Sequence, residues 1–168
     1  MPCCYIDVLI VYFGCCWFKI RDYKIIHLIS GFLIVGGYGA DGKSAEIFNP
    51  DSDHSCAVSD LIKARHAHTL CNRMVCGGWF GWHDGMLDDT SLSCELFDLP
   101  SSTFKSLPVT LLQRRAHHLC WGLANGDVLL LGGIKWNGTI LESQETTERV
   151  SADGSSSSAA FKLSSGIS

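Results

Sequence analysis

The sequence predicts an all-β chain of about three tandem four-stranded antiparallel sheets, and three observations carry that expectation. Short apolar runs rich in branched residues end on a glycine pair at Gly36-Gly37, Gly77-Gly78 and Gly132-Gly133. Each pair is followed by a glutamate-bearing apolar segment and preceded by a basic-x-x-His element. No stretch of the 168 residues shows a helical period.

Composition bounds the function classes before any element is placed. With 46% hydrophobic and 18% charged residues the chain is globular and neither collagenous nor coiled-coil. Thirteen Lys and Arg stand against 17 Asp and Glu, a net charge of -4, too little positive charge to hold a phosphate backbone, so no nucleic-acid partner is expected. Nine cysteines are an odd number, so at least one thiol stays free or pairs outside the chain.

Residues 1–23 are an apolar N-terminal segment, either signal-like or an artefact. Its apolar run, Val8 to Phe18, is eleven residues long and falls short of the ~20 needed for a membrane span. As a secretory signal it has the right apolar length but neither a positively charged leader nor a small-residue cleavage site after Phe18.

From there the chain divides into units at about 24–63, 64–112 and 113–163, with a frayed tail at 164–168. Phe32 to Val35, Met74 to Cys76 and Val128 to Leu131 are the buried strands that close on glycine. Glycine is needed there because the chain must turn close beside its neighbour with a positive φ. The next strands carry Glu46, Glu95 and Glu148 in Ala45 to Phe48, Cys94 to Phe97 and Thr147 to Val150. Upstream, Arg65-x-x-His68 and Arg115-x-x-His118 recur, and Lys24-x-x-His27 reads as a degenerate first copy because His27 and His68 precede their glycine pairs by the same nine residues. Asn125-Gly126-Asp127 is an insertion in the third copy. Four short strands in units of this length match a propeller blade. A carboxylate recurring on a half-buried strand wants a cation, and the recurring Arg65 and Arg115 are its expected partners.

These elements resemble kelch repeats over roughly Lys24 to Leu163, which implies a partial kelch-type β-propeller of about three four-stranded antiparallel blades. Phe48, Phe97 and Val150 stand where the family has Tyr, and Phe104 and Phe161 take the place of its Trp. Propellers close with about four to eight blades, so further blades or a second copy are needed to close this one.

Candidate chemistry is sparse. His66, His68, Cys71 and Cys76 have zinc-like residue types, but the third copy has Ala116 where the second has His66, so a blade role for His68 and His118 is favoured and no metal is expected. There is no Gly-x-Ser-x-Gly elbow, and Gly42-Lys43-Ser44 lacks the upstream glycine of a phosphate loop, so neither catalysis nor a cofactor is expected. Cys76 and Cys94 lie on neighbouring strands and are the best-placed disulfide pair. Asn137-Gly138-Thr139 is an acceptor for N-glycosylation, and both features point to an extracellular or secreted protein, with a cytoplasmic one as the alternative.

The loops after the glycine pairs carry Trp79, Phe80, Trp82 and His83 in the second copy and Lys135 and Trp136 in the third. They are the expected binding residues for a protein partner on one face of the disc. The resulting expectation is a non-catalytic protein-interaction module without a membrane span. Its rivals are a fragment of a propeller enzyme, copper oxidase or glycan-processing, and the substrate-adaptor domain of a ubiquitin ligase.

Overall fold

The computed structural model describes residues 8–13, 16–21, 24–28, 31–37, 42–79, 82–83, 86–87 and 92–163, the backbone alone at 8–13, 16–21, 82–83 and 86–87. Eighteen strands and no helix occur among them. β1 (Val8–Phe13) and β2 (Cys16–Arg21) form an antiparallel hairpin within the apolar N-terminal run. The first large sheet holds β3 (Lys24–Leu28), β4 (Gly31–Val35), β5 (Ala45–Asn49) and β6 (His54–Ala57), in that spatial order.

The second sheet is β7 (Thr69–Cys71), β8 (Met74–Cys76), β11 (Ser93–Asp98) and β12 (Thr103–Thr110), and the third is β13 (Leu119–Gly122), β14 (Val128–Leu131), β17 (Thr146–Val150) and β18 (Ser157–Lys162). Two small hairpins intervene, β9 (Trp82–His83) with β10 (Met86–Leu87) and β15 (Ile134–Trp136) with β16 (Leu141–Ser143). Each follows a glycine pair. Every pairing within the large sheets is antiparallel and between sequence neighbours in the meander. The sheets meet through their first strands, with β7 lying between β3 and β13. Three four-stranded meanders side by side with their first strands adjacent are successive blades of an incomplete propeller.

Period-two alternation explains why the sheets stack. Leu70 and Val75 face the first sheet, where they join Leu28, Leu33, Val35, Phe97 and Phe104 in one core. The alternate residues Cys71, Met74 and Cys76 face the third sheet and pack with Cys94, Val109, Val128, Leu130 and Val150. Each strand of the second sheet therefore serves two cores.

Turn chemistry fixes the hairpins. Asn72 and Arg73 form a two-residue loop with φ of 48° and 66°, the type I′ geometry that matches strand twist. The Asn72 amide donates to the carbonyls of Gly126 and Asp127 at 3.2 and 3.1 Å, so this turn latches onto the inserted turn of the third sheet.

The first sheet corrects one element of the repeat. Lys24 pairs with Val35, as Thr69 pairs with Cys76 and Leu119 with Leu131, so Lys24 occupies the threonine position and not that of Arg65. His27 is exposed and lies edge-on to Phe32 at 5.2 Å. The nine-residue offset misled because β3 and β4 have five residues where β7 and β8 have three. Longer strands carried a different histidine to the same distance.

Candidate functional site

In an antiparallel meander the loop after each glycine pair and the connection from one sheet to the next lie at the same end. That end gathers the recurrent residues. Arg65, in the connection into the second sheet, reaches Glu95 at 2.6 Å with both side chains buried. Its other amino group donates to the carbonyls of Gly77 and Ser93 at 2.9 and 3.0 Å. Glu95 also accepts the backbone N–H of Ile62 and of Lys63, at 2.7 and 3.1 Å.

The third sheet repeats the arrangement. Arg115 lies 3.5 Å from Glu148 and donates to the carbonyls of Gly132 and Thr146, and Glu148 accepts the N–H of Leu112 at 2.6 Å. The guanidinium fork thus ties the end of one strand to the start of the next, and the carboxylate anchors the incoming connection. Glu46 holds the equivalent place opposite Ile34, half-buried.

Histidine and glycine form the seam between sheets. A Cβ on Gly36 would lie 2.3 Å from Cε1 of His68, and one on Gly77 would lie 2.8 Å from Cε1 of His118 and 2.6 Å from the carbonyl of Arg115. The first glycine of the first two pairs is therefore the seat of the next sheet's imidazole. The second packs on its own sheet's histidine, since a Cβ on Gly78 would lie 2.9 Å from the Cβ of His68. With φ of 64° and 95° at Gly77 and Gly78, the backbone also favours glycine. His118 Nε2 lies 2.8 Å from the Thr69 hydroxyl across the seam. Burial, then the charge of Arg115, lowers the His118 pKa to about 3. Burial and Arg65 likewise push His68 well below its ordinary value. Both rings are neutral wedges.

Sulfur chemistry differs from expectation. Cys71 on β7 and Cys120 on β13 lie at disulfide-bonding distance, Cα to Cα 6.2 Å, and cross-link two sheets. Cys76 and Cys94, the predicted pair, stand directly opposite each other but are free and buried. A hydrogen bond to Cys94 and burial push the Cys76 thiol up, which withholds the thiolate that exchange requires. Among the described residues no three His, Cys, Asp or Glu side chains converge.

The predicted binding residues divide. Trp79 is only 3% exposed and packs on Ala67 and Ala116 with Ile134 and Trp136 beside it. Its exposed role is corrected: main-chain bonds with His66, at 2.9 and 3.2 Å, turn the indole over those two small side chains. Trp136 is half-buried against the same cluster, and Lys135 pairs with Glu142 at 3.3 Å. Trp82 and His83 lie on β9, where the backbone alone is described, and Phe80 lies outside the described residues. Asn137 heads the β15–β16 turn, where its Oδ1 accepts the N–H of Thr139 and of Ile140 and the side chain is exposed.

Among the described residues, four large aliphatic side chains are exposed at this end. Ile62 and Leu112 occupy equivalent places in the two connections, 48% and 52% exposed, each one residue after a buried leucine, Leu61 or Leu111. Ile140 and Leu141 on the third sheet's hairpin are 57% and 49% exposed. Sequence reasoning followed the aromatics and missed these. The doublets Leu61-Ile62 and Leu111-Leu112, four and three residues before the repeated arginines, were the signal that marks them.

No family model matches the sequence, and no curated protein matches it. Among solved structures, that of YjhT superposes with a TM-score of 0.70 at 12% identity, covering 85% of this chain and 52% of that chain. The likeness is one of fold, and the chain spans about half the length of that structure. Among the described residues no helix is long and apolar enough to cross a membrane.

Proposed function

We propose that this chain is a segment of a kelch-type propeller that acts as a protein-interaction module, with no catalysis of its own, and that it takes its partner at the end where the post-glycine hairpins and the inter-sheet connections meet. The observation that carries this reading is the exposure of Ile62 and Leu112 at equivalent positions, together with Ile140 and Leu141 at the same end. Exposed aliphatics on loops at one end of the sheets are the features of a binding surface. The locks beneath them, Arg65 with Glu95 and Arg115 with Glu148, hold the connections in fixed positions, which lowers the entropy lost on binding. Trp136, half-buried at this end, contributes an aromatic side chain to this face. An extracellular location agrees with the Cys71–Cys120 pair and with the exposed Asn137-Gly138-Thr139 acceptor.

A displayed library of folded domains selected on the immobilised chain tests the reading. Enriched binders should lose at least about tenfold in affinity for an Ile140→Asp, Leu141→Asp double variant whose circular dichroism is unchanged. Binders indifferent to that variant, to Leu112→Asp and to Trp136→Ala would place the partner surface elsewhere.

A further inference from the structure

The hairpin after the third glycine pair holds its acceptor asparagine in one fixed place. Asn137-Gly138-Thr139 is the one Asn-x-Ser/Thr triplet in the 168 residues, and residues 137–141 are all exposed. The turn between β15 and β16 closes on the Ile140 carbonyl, which accepts the N–H of Asn137 at 3.2 Å. Within the turn Asn137 Oδ1 accepts the N–H of Thr139 and of Ile140 at 2.9 and 3.0 Å, the first of these being the bond of an Asx turn. One Nδ2 proton goes to the Glu142 carboxylate, which also pairs with Lys135 at 3.3 Å. An amide nitrogen has two protons, so the second is left for substitution. A Cβ on Gly138 would meet no described atom within 4 Å, so there is open space around the turn.

The same turn presents aliphatic surface. Ile140 and Leu141 are 57% and 49% exposed, and the N–H of Ile140 is bound to the acceptor side chain itself. Any group carried on Nδ2 therefore begins beside these two residues.

We propose that Asn137 carries an N-linked oligosaccharide and that this glycan gates the partner face by covering Ile140 and Leu141. The inference rests on the reading of this end as the partner surface and of the chain as extracellular. The donor is a polyprenyl-diphosphate-linked oligosaccharide. The new bond joins Nδ2 to C1 of its first N-acetylhexosamine, the bond from C1 to the diphosphate oxygen breaks, the lipid diphosphate leaves, and the amide gives up one proton. Glu142 keeps the remaining Nδ2–H, and Oδ1 keeps both of its N–H donors, so the turn needs no rearrangement to accept the sugar. A bulky, hydrated chain rooted on so fixed a stem occupies the volume over the two aliphatics. Exposed apolar surface of this kind is a liability when no partner covers it, and the glycan supplies that cover. The occupied form is closed to a partner and the bare form is open.

The tagged chain, secreted from animal cells behind a supplied leader, tests the proposal. In lysate and medium its mass should exceed that of the bare chain and should fall after treatment with an amidase specific for N-glycans. Thr139→Ala removes the acceptor hydroxyl and leaves the main-chain N–H that Asn137 binds, so it should abolish the increment, whereas Thr139→Ser should retain it. Binders selected on the bare chain should hold the glycosylated chain at least about tenfold more weakly than Thr139→Ala from the same cells. Two results would overturn the gate and leave the partner face standing. One is the absence of any increment in either fraction. The other is equal binding of glycosylated chain and Thr139→Ala by binders that the Ile140→Asp, Leu141→Asp double variant disables. Binders indifferent both to that variant and to the glycan would overturn the partner face together with its gate.

Discussion

Arg65, Glu95, His68 and Gly36 show how a weakly specific sequence signal becomes a structural device. Gly78→Val adds a side chain 2.8 Å from the His66 carbonyl at a φ of 95°, and it should destabilise the chain by at least about 2 kcal/mol in urea unfolding. Glu95→Gln leaves the buried guanidinium of Arg65 without its counter-charge and turns one amide donor toward backbone donors. We expect a loss of about 3 kcal/mol, a fall in Tm of roughly 10 °C, and an unchanged Tm would show that the pair is not structural.

The histidines set an acid response. His118 and His68 are neutral in the fold, with pKa values depressed below the ~6.5 of the unfolded chain, so the unfolded state binds more protons as pH falls. Stability should be full above about pH 6.5 and should decline below it, for His118 down to its folded value of about 3. Each ring contributes a slope of up to about 1.4 kcal/mol per pH unit, and denaturant midpoints between pH 4 and 7 measure it. His118→Asn should remove its share of that slope.

At the scale of elements, strands were legible because buried runs, glycine pairs and alternation are local. The Arg-x-x-His elements of the second and third copies were legible for the same reason, being recurrent and close in sequence to the strands they serve. Three features were not. Lys24-x-x-His27 matched by distance alone, since strand length does not appear in an offset. Cys76 with Cys94 was favoured by strand adjacency, while Cys71 and Cys120 meet only through the packing of two sheets, 49 residues apart in sequence. Trp79 was misplaced because its burial depends on Ala67 and Ala116, which carry no signal of their own. One turn remains suboptimal: Arg73 sits at φ 66° in the type I′ loop, where glycine is preferred, and Arg73→Gly should raise stability by about 0.5–1 kcal/mol by thermal melting.

For the whole molecule, stability resides in two cores and the seams that close them. The Cys71–Cys120 link spans 49 residues and joins two sheets whose strands do not pair with each other, so Cys71→Ala or reduction should remove about 3–4 kcal/mol. Melting with and without reductant reads that difference. The seam itself is tested most directly by a double-mutant cycle between Gly36 of the first sheet and His68 of the second. A methyl on Gly36 would lie 2.3 Å from the imidazole, so Gly36→Ala should be costly with His68 present and markedly milder in His68→Ala. Side-by-side sheets with the ring seated on glycine predict a coupling energy of at least about 1 kcal/mol, whereas effects that add within about 0.5 kcal/mol would contradict that packing.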